Sequence, residues 1–165
     1  MKTKIALQGW CHLDQKREAG LPVDDSDEGC DCVPRCSTKT KMDRHQIAII
    51  KMKKGDAITD SAEAFYLMKQ RGIKNVIVMG VHTNMCVLGR PFGIRQMVRL
   101  GFQVALARDL TDAMYDPRQA PYVSHTRGTE LVVEHIETYW CASLMGADLT
   151  RVVRGSADPV AVGKK

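Results

Sequence analysis

The chain has no run of about 18 uninterrupted apolar residues, so nothing in it reads as a membrane-spanning helix. It has nothing at its start like a signal peptide, because Met1-Lys2-Thr3-Lys4 leads into only Ile5-Ala6-Leu7 before polar residues return. The chain is therefore expected to be neither secreted nor membrane-bound, with the cytoplasm as the default location. Internal repeats and low-complexity tracts are absent. Proline (6) and glycine (13) are too few in 165 residues for a collagen-like or broadly disordered protein. The net charge is +5, but the basic residues are scattered and lack interleaved aromatics, so small molecules are expected as ligands ahead of nucleic acid.

What is present fits one ordinary globular domain: 44% hydrophobic and 26% charged residues, enough to bury about 70% of the unfolded chain's surface. Six cysteines (Cys11, Cys30, Cys32, Cys36, Cys86, Cys141) are expected to stay reduced in an intracellular chain.

Residues 1–44 hold a short strand-like piece, Lys4 to Gln8, and then mainly loop, rich in acids, cysteines and turn formers. So long a loop is uncommon in a compact domain and marks a functional or incomplete region. From 45 to 146 strands and helices alternate. His45–Lys51 and Asn75–Met79 are β-branched runs of strand length. Between them Asp60 and Glu63 stand at capping-box spacing, and Ala62, Phe65, Leu67 and Met68 supply an apolar helix face ending at Arg71-Gly72. A second unit follows, with a helix over about Met85–Leu100, a stop at Gly101 and a strand over Gln103–Ala107. A last helix is expected over about Gly128–Tyr139, with Leu131, Val132, His135 and Ile136 on one side. Residues 147–165 show no period and read as a tail for flexibility or oligomer contact. The alternation predicts an α/β fold with a mainly parallel sheet covered on both faces, its ligands at the carboxyl ends of the strands.

Just beyond the strand at Val76 comes Gly80-Val81-His82-Thr83-Asn84-Met85-Cys86-Val87, which places Cys86 at the mouth of a helix. Free N–H groups there favour a thiolate and can hold the oxyanion of an acyl intermediate. A buried structural cysteine is the competing reading.

With Gly101-Phe102-Gln103-Val104 and Arg108-Asp109 following, Val76–Asp112 resembles the nucleophile region of the isochorismatase-like cysteine hydrolases, which include the nicotinamidases. The resemblance extends over about His45–Trp140. It implies a three-layer αβα fold with a six-stranded parallel sheet, Cys86 as nucleophile, and a cis peptide between Val81 and His82 that aims the His82 and Cys86 amides as the oxyanion hole. It also implies assembly into dimers or tetramers. The family's lysine falls at Lys53 by ungapped counting, with Lys51 and Lys54 close enough to exchange with it. The family's aspartate, at the end of the first strand, would fall on Gln8, and an amide does not exchange protons at neutral pH. Asp14 lacks a strand to present it, so the chain is expected to begin after the family's first strands and to be incomplete at the N-terminus. The resulting expectation is hydrolysis of an amide or related C–N bond through a thioester on Cys86, with a catalytically silent subunit as the alternative.

Thr83, Asn84, Arg90 and Asp109 are the candidate substrate-binding residues. Arg95 reads as a surface arginine more readily than as a substrate contact, and Asp109 orients a backbone turn as readily as a substrate. His125 is either a partner for Cys86 or a satisfied capping-region histidine, and His135 packs or faces solvent. Cys30, Cys32 and Cys36, with His12 or His45, bring thiols and imidazoles together. Their Cys-x-Cys-x3-Cys spacing is not that of a standard zinc site, so neither metal nor other cofactor is expected.

Overall fold

The computed structural model describes residues 9–26, 34, 47–59 and 61–151. The strand-like piece Lys4–Gln8, the cysteines at 30, 32 and 36, His45 and the end of the tail lie outside them. The elements are α1 (Glu63–Gln70), β1 (Asn75–Val81), a π-helical turn (Thr83–Val87), α2 (Ile94–Arg99), β2 (Gln103–Asp112), α3 (His125–Tyr139), β3 (Ser143–Leu144) and α4 (Gly146–Thr150). The strands form one parallel sheet in the order β1-β2-β3, which is the expected α/β class of strand, helix and strand units.

The core lies on one face of this sheet. Leu106 of β2 is fully buried with Leu88, Ile94, Val132 and Ile136, and Val78 and Val104 pack against them. A second cluster joins Phe65 of α1 to Met97 and Phe102, next to Val76. On the opposite face of β1, Ile77, Met79 and Val81 are 42%, 51% and 59% exposed. Along β1 the expected cover on both faces is therefore missing among the described residues.

Several expectations are corrected. Residues 47–50 are a turn, closed by the Ile50 amide donating to the Ile47 carbonyl at 2.9 Å, and their isoleucines are exposed. A β-branched run without a neighbouring strand has no ladder to join. The single helix expected over Met85–Leu100 is broken between Arg90 and Gly93. Pro91 cannot donate within a helix, and Gly93 passes so near the preceding turn that a Cβ there would sit 2.7 Å from the Val87 carbonyl oxygen. α1 starts with Ala62 at its N-cap and no side-chain cap, and Asp60 is outside the described residues. The tail opens with a helical turn, α4, and β3 adds a two-residue strand that its length concealed.

Of the loop-rich start, the described residues 9–26 pack onto this core without helix or strand. Val23 belongs to the main cluster, and the Glu18 side chain, with no exposed surface, is the anchor. Glu18 Oε2 accepts from Arg95 Nη2 (3.0 Å) and Trp140 Nε1 (2.8 Å), and His135 Nε2 lies 2.9 Å from it. Arg95 Nε stands 2.7 Å from Oε1 outside hydrogen-bond geometry, so that contact is ionic. Arg95 is thus 4% exposed and internally paired, not a surface arginine. Its Nη1 also donates to the Cys11 carbonyl at 3.1 Å. Burial raises the Glu18 pKa, but the bonds from Arg95, His135 and Trp140 outweigh it and bring the carboxyl down to about 2.

Candidate active site

β1 and β2 stay paired to their carboxyl ends, where an irregularity in their register precedes the turn that carries the cysteine. Between two register points β1 advances from Val78 to Gly80 while β2 advances from Leu106 to Thr111. Gly80 has φ +110°, a region that side chains other than hydrogen strongly disfavour. The Thr111 hydroxyl donates to the Gly80 carbonyl (2.8 Å) and lies 2.7 Å from the Thr83 hydroxyl, tying the strand ends below the turn. The Val81–His82 peptide is cis. The next residues, Thr83–Val87, form a π-helical turn in which the Met85 and Val87 amides both donate to the His82 carbonyl at 3.1 Å. A single π turn of this kind frequently marks a functional position.

Asn84 braces the turn from outside. Its Oδ1 accepts from the Met114 amide (2.8 Å), while Nδ2 donates to the Met114 carbonyl (2.9 Å) and to Asp25 Oδ2 (3.1 Å). One side chain thereby joins the cysteine turn, the loop after β2 and the N-terminal segment. Nothing local in the sequence marks this role, because the partners stand 30 and 59 residues away.

The half-buried Cys86 opens onto a cavity of about 290 Å3, lined also by Val78, Met79, Val81, Arg90 and Phe92. Arg90 is steadied at this cavity by stacking its guanidinium 5.3 Å from the Trp10 ring centroid. Trp10 packs against Gly89 closely enough that a Cβ there would come within 2.7 Å of the ring. The adjacent Cys11 amide donates to the Gly89 carbonyl at 2.7 Å.

Of the residues singled out from sequence, Cys86 and Arg90 share this cavity, and His82 precedes the turn. Thr83 and Asn84 are buried and spend their polar groups inside the protein, so they position the turn and do not line the cavity. Asp109 points elsewhere as well. Its Oδ1 accepts from the Gly146 amide at 2.7 Å, holding the start of α4. Lys53 lies on an exposed turn whose own amide donates to Asp56 Oδ2 (2.7 Å), because no strand forms there to carry it toward Cys86. His125 is satisfied by Asp112 Oδ1 (2.8 Å from Nε2) and the Tyr115 carbonyl (2.9 Å from Nδ1). Burial lowers its pKa, but these two acceptors raise it further, and the balance lies above 6.5. Asp14 pairs at 3.3 Å with Arg99. Among the described residues, no aspartate, glutamate or lysine lines the Cys86 cavity, and no three potential ligands gather for a metal ion. No described helix is long and apolar enough to cross a membrane.

Comparison with known proteins adds one finding. The family model of the isochorismatase domain matches residues 65–127, from α1 through β1, the Cys86 turn and β2 to the start of α3. No curated protein matches the chain. No solved structure does either.

Proposed function

We propose, from the match of the isochorismatase family model to residues 65–127, that the chain is a cysteine-dependent hydrolase of a small molecule, cleaving an amide or related C–N bond. The observation that supports this is the placement of the Cys86 thiol: at the carboxyl end of β1, on a turn inside the matched segment, facing a cavity of small-molecule size. In the proposed reaction the Cys86 sulfur, as thiolate, attacks the carbonyl carbon. The His82 and Cys86 amides donate to the resulting oxyanion. The tetrahedral intermediate collapses to a thioester as the C–N bond breaks, and the amine leaves with the proton surrendered by the thiol. Water then adds to the thioester, releasing the acid and restoring the thiol. Arg90 offers its guanidinium to an anionic group of the substrate.

A second reading, a catalytically silent subunit, is favoured by one observation: the cavity lacks a carboxylate or lysine among the described residues, and proton transfer in this scheme needs a base. The two readings part in one experiment. The chain is incubated with a panel of primary amides and anilides, amine release is followed, and the Cys86 peptide is weighed for an acyl adduct. Turnover abolished by Cys86→Ala, with an adduct on Cys86, supports the hydrolase. Absence of both across the panel supports the silent subunit.

A further inference from the structure

The Arg90 amide donates to the Cys86 carbonyl at 3.2 Å, one helical turn on. Residues four apart on a helix are neighbours on one face, and both side chains line the same cavity. Val78, Met79, Val81, Val87 and Phe92 supply most of the remaining wall, and no carboxylate among the described residues faces it. Elsewhere Arg95, Arg99, Arg108, Arg118 and Arg127 each meet a carboxylate. Among the described residues Arg90 meets none, and its guanidinium is held instead by the Trp10 ring. An aromatic face steadies a cation without neutralising it, so the planar fork of N–H donors keeps its full charge beside the thiol.

We propose that Arg90 and Trp10 form a carboxylate subsite of the Cys86 cavity, with Trp10 as its positioning residue. The proposal rests on the reading of this cavity as the substrate site and adds a substrate class: a small amide bearing one carboxylate on an apolar body. The carboxylate takes the guanidinium fork in two parallel hydrogen bonds, and the apolar body lies against the valines and Phe92 while the carbonyl meets the thiol one turn away. An ammonium group on the substrate is selected against, because no acid among the described lining residues would pair with it. Trp10 lies outside the segment that the family model matches, so the N-terminal segment supplies half of the subsite. It is fixed there by the Cys11 amide donating to the Gly89 carbonyl (2.7 Å) and by the bare Cα of Gly89, where a Cβ would stand 2.7 Å from the ring.

The test sets iodoacetate against iodoacetamide, alkylating agents of nearly equal size of which only the first is an anion, and reads the ratio of their rates at Cys86 by peptide mass spectrometry at low ionic strength. The expected ratio in the folded chain exceeds that in urea by about tenfold or more. Arg90→Gln returns it to the urea value, while Lys53→Gln, which removes a charge from an exposed turn, leaves it unchanged. Trp10→Leu, and Gly89→Ala, which displaces the ring without altering it, each lower the ratio by about two- to fivefold; Trp10→Phe keeps most of it. A folded ratio equal to that in urea overturns the proposal. So does a raised ratio indifferent to Arg90→Gln, which shows only the pull of the net +5 charge, and so does one indifferent to both Trp10→Leu and Gly89→Ala. The two readings fail separately: a Cys86 that folding makes reactive but without preference for the anion sinks the subsite alone, and a Cys86 that folding slows while the preference remains sinks the hydrolase alone.

Discussion

Replacing Glu18 by glutamine removes one charge from a pocket where it meets Arg95, His135 and Trp140 without solvent. The depression of its pKa from 4.5 to about 2 corresponds to about 3 kcal/mol of folding stability at neutral pH. Leaving Arg95 buried without its counter-charge gives a loss of similar size, about 3–5 kcal/mol. Glu18→Gln should therefore lower the urea-unfolding free energy at pH 7 by about 3 kcal/mol, a large part of what a domain of this size possesses. Because the folded pKa is depressed, the Glu18 contribution is fully present above pH 4.5 and is lost as pH falls from 4.5 toward 2. The difference between wild type and variant should shrink across that window. Changing Arg95 to methionine in the same background should restore part of the loss, since no buried charge then stands alone. A cost below about 1 kcal/mol, or a difference that stays constant from pH 6 to pH 3, would refute the reasoning.

Two further outcomes are expected. At Gly128 a Cβ would stand 2.2 Å from Cδ1 of the buried Tyr115 ring, so Gly128→Ala should cost about 2–3 kcal/mol and lower Tm by roughly 5–10 °C in a thermal melt; an unchanged Tm would show that the ring moves freely. His125→Gln should lose stability relative to wild type at pH 6 and less so at pH 8. The raised pKa makes the imidazolium's contribution complete below 6.5 and lost as pH rises through the folded value, and a difference that grows with pH would contradict the pairing with Asp112.

Local signals carried the fold's centre. β1, β2 and the helix His125–Tyr139 stand where alternation and helical spacing put them, because each has a strong apolar period. The failures are non-local. The isoleucines at 47–50 have strand composition, yet a strand exists only by pairing, and no sequence pattern shows whether a partner is present. Arg95 looked like any helix-surface arginine because Glu18, which buries it, lies 77 residues away. At the site, the cysteine turn was legible from its motif, and Arg90 from its nearness to that motif. Thr83 and Asn84 were legible as special residues but not in their role, which depends on Thr111, Met114 and Asp25 arriving from other segments. The position of Lys53 rested on a strand that does not form.

The central claim is that folding builds a reactive thiol at Cys86. It is tested most directly by the rate of iodoacetamide modification at pH 7, read cysteine by cysteine by peptide mass spectrometry, in the folded chain and in the same chain in urea. Cys141 supplies the internal reference, because burial, reinforced by the charge of Glu137, pushes its thiol up to about 11, and folding should slow its reaction. Folding is predicted to accelerate Cys86 while it slows Cys141. If folding slows both alike, Cys86 is a structural cysteine and the hydrolase reading fails.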